Sequence, residues 1–257
     1  MVTDLGSVSK CSNRILHAAQ KIVWSKFINC GQTCLAPDYV LVHRNFKAQF
    51  IDLLKYYIQK LYNTNDYNLS ESKDYARIIN ADHFNRLKSL LEKTISSGAI
   101  VEIGNSLNGA NKYIPPTVLT NVSMASPIME EEIFGPILPI ITFDDIAEAV
   151  EVIRGYPKPL ALYVFSKKDK IVNYILESTS SGGVCINDTI IHFSQTNLSF
   201  GGVNASGMGR AHGFHGFKTF SNEKAVLRHH RFSPFKFLYP PYTKRVQKIV
   251  DIMLKYL

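Results

Sequence analysis

Cysteine is scarce in this chain: there are four in 257 residues, at positions 11, 30, 34 and 185. That number and spacing exclude a disulfide scaffold and predict free thiols in a reducing compartment. Long apolar runs are also missing. Nothing approaches the roughly 18 residues of a spanning helix, and the opening MVTDLGSVSK lacks the apolar core of a secretory signal, so the expectation is a soluble, cytoplasmic chain. Acid is nearly absent from the end. Residues 224 to 257 carry eight Lys or Arg against Asp251 alone, which places +7 of the net +8 there. A nucleic-acid enzyme is expected to spread basic residues around its site, so this terminal excess argues against a nucleic-acid partner. No internal repeat or low-complexity tract is present.

What remains is ordinary globular material, 46% hydrophobic and 19% charged, long enough to bury roughly 70 to 75% of its unfolded surface. Residues 13–28 place Ile15, Ala18, Ala19, Ile22, Val23 and Phe27 at helical spacing. "DYVLVH" reads as a strand. Asn45 then reads as the N-cap of a helix over 46–62, with Phe46, Phe50, Leu53, Leu54, Tyr57, Ile58 and Leu61 as its stripe. Residues 81–96 repeat the pattern with Phe84, Leu87, Leu90, Leu91 and Ile95, and "AIVEIG" follows as a strand. Next come strand "LPIITF", helix 145–154, strand "LALYVFS", helix 168–178 and strand "GGVCIN". Continuous apolar strands separated by amphipathic helices predict an α/β fold, a mostly parallel open sheet with helices on both faces. A polar strand over "FKTFSNEKAVLRHH" and an amphipathic basic helix over 244–257 are expected to close the chain.

Cys30 and Cys34 flank a Gly-Gln-Thr step. A zinc clip is excluded by ligand count, because no second Cys/His pair lies at finger-like distance, and no metal is expected. Cys185, inside "GGVCIN", fits a buried core thiol. Cys34 lies just past a helix in a turn where backbone N–H groups can converge on an oxygen bound at the sulfur. The residues alone leave a packed thiol and a nucleophile both open. The acidic run Glu130–Glu132 reads alone as a solvated turn. "SFGGVNASGMG" has neither the G-x-G-x-x-G order nor the Walker spacing, so its glycines read as turn formers.

Seven segments, "FINCGQTCLAPDYVLVH", "RIINADHFNRL", "YIPPTVL", "PIMEEEIFGPILPI", "PLALYVFS", "SGGVCIND" and "LSFGGVNASGMGRAHG", occur in the order and approximate spacing of the aldehyde dehydrogenase superfamily. The sequence most resembles its class 3, fatty aldehyde dehydrogenase-like branch, over about residues 13 to 243. The resemblance implies that Cys34 is the nucleophile, attacking an aldehyde to give a thiohemiacetal that passes hydride to NAD or NADP and leaves a thioester for water. The Cys34 backbone N–H would be one oxyanion donor. The resemblance also implies that Glu132 holds the nicotinamide ribose and that Phe134 and Phe200 pack near the cofactor ring. Asn187 and His192 match positions near the substrate funnel, although each also reads as a turn residue and a hydrogen-bonded loop histidine.

The resemblance implies a usual length well over 400 residues, with a first half that carries the dinucleotide-binding domain. The text nearest the family's general-base motif is "TDLGSVSK", where Asp4 is one methylene short and out of register, so the base is not assigned to it. The expected organisation is a catalytic domain over 1–216, an oligomerisation strand over 217–232 and a basic tail over 233–257. Medium- or long-chain aldehydes are the implied substrates and a homodimer the implied assembly. Residues 244–257 are a candidate contact with a membrane surface. The chain alone is expected to have little NAD-dependent activity, and the competing reading is a non-catalytic fragment or pseudoenzyme that associates with full-length relatives.

Overall fold

The computed structural model describes residues 8–62, 69–104, 106–229, 231, 236 and 239–256. Two compact units are present, Met1–Thr219 and Phe220–Leu257. In the first, helix α1 (Val8–Phe27) runs into a one-turn 3-10 segment, followed by β1 (Val40–His43) and α2 (Lys47–Tyr62). Then come α3 (Ala81–Ser96), β2 (Ile100–Ile103), β3 (Thr117–Thr120), β4 (Ile137–Phe143) and α4 (Ile146–Arg154). Strand β5 (Ala161–Val164), α5 (Asp169–Ser178), β6 (Gly183–Ile186) and α6 (Gly213–Thr219) complete it.

The main sheet has the order β1-β4-β3-β2, parallel except for the antiparallel β2–β3 edge. A separate parallel pair, β5–β6, aligns Tyr163 with Cys185. Strands β1 and β3 are buried at every position, because both sheet faces are covered and alternate side chains have no solvent side. The α1 stripe of Ile15, Ala18, Ala19, Ile22, Val23 and Phe27 is buried, as are Phe50, Leu54, Tyr57 and Ile58 of α2. The α/β expectation therefore holds.

Several local expectations do not. Asn45 is not the α2 cap: Arg44–Phe46 form a 3-10 turn in which the His43 side chain accepts from the Asn45 N–H. Ile95 ends the α3 stripe exposed, at the helix's last turn. Strand β3 was not expected, since Thr-Val-Leu-Thr after two prolines is short and carries no apolar-polar alternation. The strand over 217–230 does not form in the described residues. Phe217 to Thr219 belong to α6, and 220–229 have no regular structure. A polar edge strand has no independent stability without a neighbour to pair with. In the second unit, α7 (Lys244–Tyr256) is the expected terminal helix. Among the described residues, no helix is long and apolar enough to cross a membrane.

Candidate active site

The chain leaves α1 through three successive residues in the left-handed region, Asn29 (φ 49°), Cys30 (φ 57°) and Gly31 (φ 73°). For the two non-glycine residues this costs roughly 1 kcal/mol or more each. The bend is held by reciprocal hydrogen bonds: Asn29 Nδ2 donates to the Gln32 carbonyl at 3.1 Å and Gln32 Nε2 donates to the Asn29 carbonyl at 3.0 Å. Gln32 also donates to the Arg77 carbonyl at 3.1 Å and accepts from the Ile79 N–H at 2.9 Å, pinning the loop to the segment before α3. Gly31 is required by contact as well as by φ, because a Cβ there would lie 2.3 Å from the Gly135 carbonyl oxygen. Thus the Cys34 loop rests directly on the "IFGP" turn.

This bend separates the two neighbouring thiols. Cys30 points into the core, 3.4 Å from the Tyr75 hydroxyl, and burial pushes its thiol up to about 11. Cys34 is exposed; Cys30 and Cys185 are buried. Beside Cys34, the Tyr163 hydroxyl of β5 donates to the Leu35 carbonyl at 2.8 Å. That Tyr163 pKa is raised, first by burial.

The Glu132–Phe134 turn is built from outside by α3. Arg86 donates to Glu131 at 2.8 Å, to the Glu132 carbonyl at 3.4 Å and to the Ile133 carbonyl; His83 Nε2 donates to the Phe134 carbonyl at 2.7 Å. From inside, Asp38 accepts the Ile133 N–H at 3.0 Å. Behind it lies Lys26, 1% exposed, whose pKa burial lowers to about 8 against the opposing pull of Asp38, Glu132 and Cys30. Burial, with Asp38 adding to it, raises the Glu132 pKa.

Cys34 and Glu132 line one cavity of about 520 Å³, walled by Leu35, Tyr39, Leu162, Tyr163 and Phe165. Phe134, on the Glu132 turn, has φ 49° and is partly exposed. Phe200, Asn187 and His192 are not among the lining residues; the Gly-rich loop reaches the cavity through Ala205 and Ser206. Both ends of the Asn187 amide are occupied by Ser166, accepting from its N–H and donating to its carbonyl, each at 2.9 Å. Asn187 thereby ties the ends of β5 and β6. His192 packs 6.0 Å from the Tyr163 ring and 6.3 Å from Phe200, between centroids. Burial lowers its pKa, and among the described residues neither ring nitrogen has a hydrogen-bond partner. Asp4 lies outside the described residues.

Sequence reading named Cys34, Glu132 and Phe134 but missed Lys26, Gln32, Asp38, His83 and Arg86. Lys26 had a signal: it continues the α1 stripe four residues past Ile22. The His83/Arg86 spacing of three places both on one face of α3, another legible sign.

Comparison with known proteins identifies the family and the fold. The profile of the aldehyde dehydrogenase family matches residues 12–226. The chain is 45% identical over 210 residues to aldehyde dehydrogenase family 3 member A2 of Mus musculus, covering 82% of this chain and 42% of that protein. It is 44% identical to the 4,4'-diaponeurosporen-aldehyde dehydrogenase of Staphylococcus aureus, covering 82% of this chain and 44% of that one. A substrate-bound structure of Staphylococcus aureus AldH superposes with a TM-score of 0.82 at 38% identity, covering 98% of this chain and 52% of that chain. The chain thus spans about half the length of these relatives.

Proposed function

The chain belongs to the aldehyde dehydrogenase family, and from that premise we propose that Cys34 is the nucleophile in an NAD- or NADP-dependent oxidation of aldehydes to carboxylic acids. The observation that carries this reading is the shared cavity, in which the exposed thiol and the Glu132 carboxylate face the same space. The sulfur adds to the carbonyl carbon and the oxygen takes the charge; loss of hydride leaves a thioester on Cys34, which water hydrolyses to the acid. NAD or NADP, when bound, supplies the hydride acceptor. Glu132 is suited to accept hydrogen bonds from a ribose diol, and Phe134 on the same turn offers an aromatic edge beside it. The apolar walls Leu35, Leu162 and Phe165 suit an aldehyde with a hydrocarbon chain.

A cofactor-independent test isolates the sulfur. p-Nitrophenyl acetate should give a burst of nitrophenolate approaching one per chain, absent in Cys34→Ser and kept in Cys30→Ser. A burst that survives in Cys34→Ser sinks the assignment. Absence of any burst favours the non-catalytic reading. Turnover of aliphatic aldehydes with NAD or NADP then reads the cofactor and chain-length preference.

Two further properties belong to the same reading. Residues 220–229 expose Val226 and Leu227 without regular structure, as a strand lacking its neighbour would, so pairing with a second copy is the proposed route to a dimer. Concentration-dependent light scattering tests it, with a monomer at every concentration as the negative outcome. The basic amphipathic α7 is the proposed contact with anionic lipid at a cytoplasmic membrane surface. Equal liposome co-sedimentation with and without residues 244–257 would end that idea.

A further inference from the structure

Lys26 takes no part in the chemistry above, yet it is the most deeply buried charged side chain described, at 1% exposure. Burying an ammonium is costly unless opposite charge compensates it. The compensating groups are the carboxylates: Asp38 acts most strongly, then Glu132, and Arg86 from α3 acts in turn on both. The backbone is equally close. A Cβ on Gly31 would lie 3.1 Å from the Lys26 carbonyl oxygen and 2.3 Å from that of Gly135, so the end of α1, the nucleophile loop and the cofactor turn meet here. Asp38 links this charge to the turn, because its Oδ1 accepts the Ile133 N–H at 3.0 Å, one residue after Glu132.

We infer that Lys26 is a positioning residue: through Asp38 it fixes the Glu132–Phe134 turn so that the Glu132 carboxylate is presented to the cavity that Cys34 lines. The buried cation keeps Asp38 an anionic acceptor for the Ile133 amide, while Arg86 and His83 hold the carbonyls on the outer side. Removing the cation leaves two carboxylates facing each other across the turn without their inner counter-charge, and the turn opens. Only the relevance of this device to a cofactor rests on the proposed function. The turn itself is a structural matter and can be tested separately.

Amide hydrogen exchange on the whole chain reads it directly. In Lys26→Met the Ile133 amide should exchange about tenfold faster, the size expected for one lost hydrogen bond, while Leu119 in β3 and Ser166 stay protected. Lys26→Arg should restore part of the protection. In an Asp38→Asn background, which keeps an acceptor without the charge, Lys26→Met should change little. A uniform loss of protection across the chain, or an unchanged Ile133, overturns the inference. If Lys26→Met does not fold, wild-type protein decides. As pH rises through about 8 the Lys26 ammonium loses its proton, and Ile133 protection, corrected for intrinsic base catalysis, should fall. Over the same window this group makes global stability rise, because the unfolded chain, with an ordinary lysine, binds the proton more tightly. Cys30, raised to about 11, gives no opposing slope until the pH nears the ordinary thiol range. Local loss with global gain is therefore the expected pattern, and flat Ile133 protection from about pH 7 to 9 refutes it. A normal Cys34 burst with unchanged Ile133 exchange would sink this inference and leave the proposed function standing; the reverse result would do the opposite.

Discussion

The two sides of the candidate site are built differently. One side, residues 26 to 38 with the Glu132–Gly135 turn, is tied by long-range hydrogen bonds and a backbone contact that admits no Cβ at Gly31. The other side, residues 187 to 213, exposes Ile191, Phe193, Leu198 and Met208, and its candidate residue Phe200 packs on His192 and on His212, neither candidate lining the cavity. The first side is self-sufficient; the second carries apolar surface that its own chain leaves uncovered. A family motif therefore marks a position without saying whether the local chain completes it.

The largest contrast lies within the rigid side. Cys30 and Cys34 are four residues apart, but burial raises the Cys30 thiol to about 11, which leaves a thiolate fraction on the order of 10⁻³ at pH 8. Iodoacetamide should label Cys34 faster than Cys30 by on the order of a hundredfold or more, because the Cys30 thiol is buried as well as protonated, scored by peptide mass, with Cys185 also slow. Comparable labelling of the two would show that the loop does not hold the left-handed bend in solution. Next in size is a pair of glycines with the same backbone sign. Gly31→Ala meets both a left-handed φ and the Gly135 oxygen, and should cost on the order of 3 kcal/mol in chemical denaturation. Gly209→Ala has φ 78° but only the Thr219 methyl at 3.6 Å, so its cost should be about 1 kcal/mol, the conformational part alone. Equal losses would mean that the packing difference between the two sides is immaterial.

How much of this was legible follows from which interactions are periodic. The helices and buried strands announce themselves through stripes such as Phe84, Leu87, Leu90 and Leu91, and the motif order located Cys34 and Glu132. Gln32 and Asp38 were not legible, because they act through aperiodic hydrogen bonds that reach segments up to 47 and 95 residues away. The 217–230 strand failed for the complementary reason: its sequence is compatible with a strand, but strand formation is decided by a partner that sequence does not display.

Smaller effects probe the amide clamps on each side. Gln32→Ala removes three side-chain hydrogen bonds that span two segments and should cost roughly 2 kcal/mol, while also slowing the nitrophenolate burst, since the Cys34 loop loses its anchor. Asn187→Ala removes two bonds to Ser166 from a residue at φ 59° and should cost about 1 to 2 kcal/mol, with the burst unchanged because Asn187 does not line the cavity. If Asn187→Ala abolished the burst without unfolding the chain, the funnel role implied by family resemblance would outrank the clamp seen here.

The smallest expected effect concerns the link between the two sides. Lys21 of α1 donates to the Asn187 carbonyl at 2.8 Å and pairs with Asp188, while the Thr189 hydroxyl donates to the Lys21 carbonyl at 3.3 Å. The two charged side chains retain 34% and 21% of their exposure, so solvent screens the pair, and Lys21→Met should cost less than about 1 kcal/mol. That cost should shrink further as salt is raised, because the contribution is partly coulombic. Stability and motion separate at this point. A weak tie between a rigid wall and an under-packed loop contributes little to global unfolding, yet it limits how far residues 187 to 213 swing from α1. Lys21→Met should therefore speed amide exchange at Asn187, whose N–H donates to the Val164 carbonyl at 2.7 Å, more than at Ile133. Equal changes at both amides would show that the two sides move as one body and that the contrast drawn between them is only one of exposure.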